Sequence, residues 1–92
     1  MKISFEEYKE NLFEILQSQN RTNEFITLID KLKEKGNSKL EIYNLFLQFH
    51  AEVQIDKRTK ASEELYDVLT NFMDGFTAWG KNFKILPKEP DL

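Results

Sequence analysis

Ser38-Lys39-Leu40-Glu41-Ile42-Tyr43-Asn44-Leu45-Phe46-Leu47-Gln48-Phe49-His50-Ala51-Glu52-Val53 is the stretch whose reading decides the fold. Ser38 followed three residues later by Glu41 spells a capping box, in which the serine hydroxyl accepts from a free backbone amide and the glutamate reaches back to the cap. The apolar positions Leu40, Ile42, Tyr43, Leu45, Phe46, Leu47, Phe49 and Val53 then spread around most of a helix circumference. That pattern belongs to a helix covered on several sides. A helix over about 39–54 is expected at the centre of a bundle, or with one face covered by a second protein molecule.

Upstream, Gly36 supplies the left-handed residue with which helices commonly stop, and Lys31, Lys33 and Lys35 complement the negative end of the helix dipole just before it. The preceding stripe Phe25, Leu28, Ile29 and Leu32 recurs at helical spacing. A helix over about 23–35 follows, with Thr22 as its expected cap. Ser4 and Glu7 repeat the capping-box spacing, with Ile3 and Tyr8 placed as a hydrophobic staple. Phe5, Tyr8, Leu12, Ile15 and Leu16 continue as the buried stripe of a helix over about 5–18.

Downstream, Asp56-Lys57-Arg58-Thr59-Lys60 lacks apolar periodicity and reads as a loop. Leu65, Val68, Leu69, Phe72, Met73, Phe76 and Trp79 form a long stripe, so a fourth helix is expected over about 60–79, bent or separate in its last turn at Gly75. Two prolines forbid a regular helix after Gly80, and 80–92 reads as an extended tail whose Phe83, Ile85 and Leu86 lie back across the helices. The expectation is therefore a single all-α domain of 92 residues, an antiparallel four-helix bundle with an extended C-terminal tail.

Composition narrows the chemistry. Forty per cent hydrophobic residues suffice for a core, and the absence of cysteine removes disulfides, thiolate nucleophiles and zinc-thiolate sites. No apolar segment reaches the roughly 18 residues of a membrane span, and Glu6 and Glu7 follow too early for a signal peptide, so a cytoplasmic, membrane-free protein is expected. The three glycines are isolated, which leaves no phosphate loop. His50 has Leu47 and Gln54 one turn away on either side where a metal site needs a second ligand. No catalytic, metal or cofactor residue is assigned, and the chain reads as a non-enzyme. The enzyme or carrier alternative rests on a site among the helices around His50, Asp67 and Trp79.

A net charge of −3 conceals an uneven distribution, since residues 31–60 carry seven basic and four acidic side chains while both flanking segments are acidic. The helices before and after Gly36 have the outline of a helix-turn-helix, but the second offers Lys39, Glu41 and Asn44 among apolar side chains where base recognition needs projecting cations and amides. A nucleic-acid-binding regulator is thus the weaker alternative. The favoured expectation is recognition of another, basic protein, as by a small acidic inhibitor such as a bacterial toxin-immunity protein, an analogy of size, charge and helical class without a shared motif. The residues expected at that interface are Glu6, Glu10 and Glu14, the off-stripe aromatics Phe13 and Tyr66, Leu47, and the carboxylates Glu63 and Asp67. A homodimer on the surplus apolar surface of the third helix is the other alternative.

Overall fold

The computed structural model describes residues 3–77 and 84–92. Within them the chain forms four α-helices and no strand: α1 (Phe5–Leu16), α2 (Arg21–Glu34), α3 (Lys39–Val53) and α4 (Glu63–Met73), followed by a 3-10 turn over Asp74–Phe76. The expected helix ends at Trp79 and the first tail residues through Phe83 lie outside the described residues.

The start of α3 is built as its sequence requires. Ser38 Oγ accepts from the Glu41 amide at 3.1 Å while Glu41 Oε1 accepts from the Ser38 amide at 2.8 Å. These bonds to its charged form hold the Glu41 carboxyl below its ordinary range. Just before it, Gly36 at φ 95° ends α2. Its amide donates to Lys33 O at 2.9 Å and the Asn37 amide donates to Leu32 O at 3.1 Å, the paired bonds of a Schellman motif.

The two other expected caps differ. Ser4 precedes α1 but its side chain makes no capping bond, because the Glu7 amide already donates to the Ser4 carbonyl at 3.2 Å. Thr22 lies inside α2, which begins at Arg21 after Asn20. The link from α1 is too short to delay it: the Asn20 amide donates back to Ser18 Oγ at 3.1 Å, and the Ser18 hydroxyl donates onward to Glu24.

α3 packs against α1, α2 and α4, the arrangement its apolar circumference calls for. Phe25 from α2 meets Phe46 and Phe49 of α3 and Phe72 of α4 at ring separations of 5.3, 6.3 and 5.0 Å. Phe13 of α1 sits edge-on to Phe49 at 5.0 Å. These rings and the buried Leu12, Leu16, Ile42, Val53 and Leu69 make one continuous core.

α4 stops at Met73, well short of the expected Trp79, because Gly75 is a poor helix former and its carbonyl is taken by the Ile85 amide at 2.8 Å. Residues 84–92 are not extended throughout: a turn forms at Pro87 and Lys88, and Leu86 adopts φ 51°. Ile85 is buried, Lys39 Nζ donates to Pro90 O at 3.1 Å, and Lys33 pairs with Glu89 at 3.0 Å. No helix among the described residues is long and apolar enough to cross a membrane.

Candidate functional site

The apolar circumference of α3 exceeds what three neighbours cover. Leu40 and Leu47 are 54% and 42% exposed, and beyond the helix end Ile55 is 68% exposed. The exposed positions of α3 are Leu40, Asn44, Leu47, Gln48 and Ala51. At about 100° per residue they fall on one arc of the helix. None of them carries a charge. The exposed positions of the other helices include Glu6, Glu7, Glu10 and Glu14 on α1, Glu24, Asp30, Lys31 and Glu34 on α2, and Glu63, Glu64 and Asp67 on α4.

Beside this face runs the seam between α3 and α4, which holds two open grooves. One, of about 480 Å³, is lined by Val53 and Gln54 at the end of α3, by Thr59 and Lys60 of the connecting loop, and by Glu63, Tyr66 and Asp67 of α4. The other, of about 230 Å³, is lined by Tyr43, Leu47 and His50 from α3 and by Thr70 and Asp74 from the α4 side. Between them the His50 ring lies against Tyr66, tilted by 43° at a centroid separation of 4.6 Å, and His50 Nε2 lies 2.9 Å from Thr70 Oγ1. Thr70 spends its single proton on the Tyr66 carbonyl at 3.0 Å, so its oxygen accepts from His50 Nε2–H. Partial burial pushes the His50 pKa down, favouring the neutral ring.

The α4 side of the seam is acidic. Glu63, Asp67 and Asp74 recur with Thr70 at positions i, i+4, i+7 and i+11, on one stripe of the helix, and no lysine or arginine occurs between Glu63 and Phe76. Among the described residues none of these carboxylates enters an ion pair, although Glu10, Glu52, Glu89 and Asp91 elsewhere all do.

The structure sorts the sequence-predicted interface residues into three groups. Glu63, Tyr66 and Asp67 come together in the larger groove, and Leu47 borders the smaller one. Tyr66 is half-buried, its ring tilted against His50 and packed at the edge of the core. Glu6 and Glu14 are exposed on α1, away from the seam. Phe13 is the correction: it is fully buried, because α1 packs on both α2 and α3 and so needs a stripe wide enough for two neighbours. Glu10 is engaged as well, since Arg58 binds it through Nη1 and Nη2 at 2.8 and 3.3 Å.

Arg58 also bonds Asp56 at 2.9 Å through Nε, which holds that carboxyl at about 2, and the two carboxylates raise the arginine in turn. Its loop is thereby clamped to α1. Thr59 in the same loop is buried and donates to Val53 O at 2.8 Å, fixing the path from α3 to α4.

The apolar pattern of the sequence did not single out Leu40 as exposed, and it missed both Ile55 and the His50 contact with Tyr66 and Thr70. The signal for Leu40 was its seven-residue spacing from Leu47, with Asn44 between them and Ala51 one turn beyond, opposite Ile42, Phe46, Phe49 and Val53. Lys39, weighed as a base-reading residue, is 4% exposed and bound to the Pro90 carbonyl. His50 bonds Thr70 and no carboxylate, it lines a different groove from Asp67, and Trp79 lies outside the described residues. No group of three or more metal-ligating side chains occurs among the described residues. Compared with protein-family models, with curated proteins and with solved structures, the chain matches none.

Proposed function

We propose that this chain is a small non-enzymatic protein-recognition domain that uses the exposed face of α3 together with the carboxylates of α4 to hold a basic partner protein, as an acidic inhibitor of the toxin-immunity type does. The observation that carries this reading is the absence of charge from every exposed position of α3 in a chain with 32% charged residues. Depletion of charge with retention of large apolar side chains distinguishes the core of an interface from ordinary surface. Within the same proposal the four helices run antiparallel around α3, and residues 84–92 lie over α2, leaving the α3–α4 seam open.

A second reading follows from the same face. Two copies, each with a net charge of −3, can approach through α3 without opposing like charges, so a homodimer is the alternative occupant.

The test is affinity capture by the full chain and by a Leu40→Ser/Leu47→Ser variant, with light scattering on both. A cationic protein held in a one-to-one complex by the first and lost by the second is expected. A monomer at high concentration that retains no partner, or a partner retained equally by both chains, overturns the reading.

A further inference from the structure

We infer that the α3–α4 seam receives a single amphipathic helical segment of the partner, apolar along one side and lined with lysine or arginine along the other. This rests on the protein-recognition reading above and names the chemistry of its partner.

The two sides of the seam differ in kind. On the α3 side Leu47 borders the smaller groove, and the exposed Leu40 precedes it by two turns on the uncharged face of the helix. On the α4 side the stripe of Glu63, Asp67 and Asp74 spans eleven positions, roughly 16 Å along the axis at 1.5 Å per residue. Among the described residues these three carboxylates enter no ion pair, whereas Glu10, Glu52, Glu89 and Asp91 do. Among the described residues Lys60 is the only lysine or arginine lining either groove, at the loop end. A ligand that satisfies both sides must bury apolar surface against Leu47 while presenting cations to Asp74 in the same groove and to Glu63 and Asp67 in the next, over about three helical turns.

A helix meets that demand and an extended strand does not. Strand addition needs an exposed sheet edge, and no strand exists among the described residues. A helix laid along the seam offers side chains at i, i+3, i+4 and i+7 to the apolar side. The stems of lysine or arginine pack beside them while their heads reach the carboxylates. No residue of 84–92 lines either groove, so the described C-terminal segment does not occupy the seam.

The experiment is a titration of the isotope-labelled full chain, followed by amide chemical shifts, with synthetic peptides of about 14 residues, roughly four helical turns. The probes are a Leu/Lys peptide patterned as an amphipathic helix, a Leu/Glu peptide of the same pattern, and a scrambled Leu/Lys peptide of equal charge. Shifts from the patterned Leu/Lys peptide are expected in residues 40–54 and 63–74. Affinity should fall at least about tenfold, or 1.4 kcal/mol, in a Glu63→Gln/Asp67→Asn variant and again in Leu47→Ser, and it should weaken with added salt. Thermal melts of each variant separate lost binding from lost folding. Equal binding of the scrambled peptide, shifts centred on α1, or an unchanged carboxylate variant overturns the inference. A Leu/Glu peptide that binds the seam and is lost in Leu47→Ser overturns the cationic partner while leaving the apolar recognition face standing. A dimer that excludes all three peptides assigns the face to a second copy and overturns it too.

Discussion

Arg58 places its guanidinium carbon 4.0 Å from the centroid of the Phe13 ring. The ring is fully buried and the arginine is held over it by Glu10 on one side and Asp56 on the other. A planar cation fits there because it stacks on the aromatic face and still bonds two carboxylates at its edges, which a lysine ammonium cannot reproduce. Phe13→Ala should cost about 3–5 kcal/mol in urea denaturation, since it leaves a cavity against Phe49. Arg58→Lys should lower stability by less, and the double variant by less than the sum, because both substitutions dismantle one contact.

The same arginine sets a pH dependence. Asp56 is held at about 2 against an ordinary value of 3.8, so the folded state binds its proton less readily than the unfolded chain. The stabilisation is therefore complete above pH 3.8 and is lost as pH falls from there through about 2. Carboxyl carbon shifts of Asp56 should show a midpoint near 2 in the native chain and a higher one in Arg58→Ala.

Capping separates two serines that look alike in sequence. Ser38→Ala should cost about 1 kcal/mol, because it orphans the Glu41 amide at the start of α3. Ser4→Ala should change stability by less than about 0.5 kcal/mol, because its hydroxyl caps nothing. Equal losses in parallel thermal melts would contradict the assignment of a capping box to Ser38 alone.

Gly36→Ala isolates a backbone effect. A Cβ at Gly36 meets nothing within 4 Å, so the cost comes from φ 95° alone and should be about 1–2 kcal/mol. Gly36→Asn should cost less, as asparagine tolerates left-handed backbone.

His50 should titrate below its ordinary value. Its burial favours the neutral form, so the folded chain takes up the proton later than the unfolded one. The contribution to stability is whole above pH 6.5 and declines as pH falls below it toward the lowered folded value. Proton NMR titration of the ring gives the midpoint, and its nitrogen shifts should report the Nε2–H tautomer that Thr70 selects.

Much of the helical order was legible in the sequence, because the signals involved are local. The Ser38–Glu41 box, the Gly36 stop and the stripe Phe25, Leu28, Ile29 and Leu32 depend on residues within one or two turns of each other. The misread ends of α2 and α4 involve competition from outside the local pattern. A short link tied by Ser18 starts α2 before Thr22, and the Ile85 amide claims the carbonyl at which α4 gives way. Phe13 was misplaced for a related reason, since a single helix cannot reveal how many neighbours it will touch.

The sequence by itself determined that the chain is helical, where α3 begins, and that α3 carries more apolar surface than an amphipathic helix needs, all of which follow from periodicity and short-range hydrogen bonding. Only the tertiary structure decided which part of that surface stays in water. The burial of Ile42, Phe46, Phe49 and Val53 against three neighbouring helices turns Leu40 and Leu47 outward, and the path fixed by Thr59 and Arg58 brings α4 back along α3, with Asp74 in the same groove as Leu47. That juxtaposition joins residues far apart in the chain, and no spacing rule along the sequence encodes it.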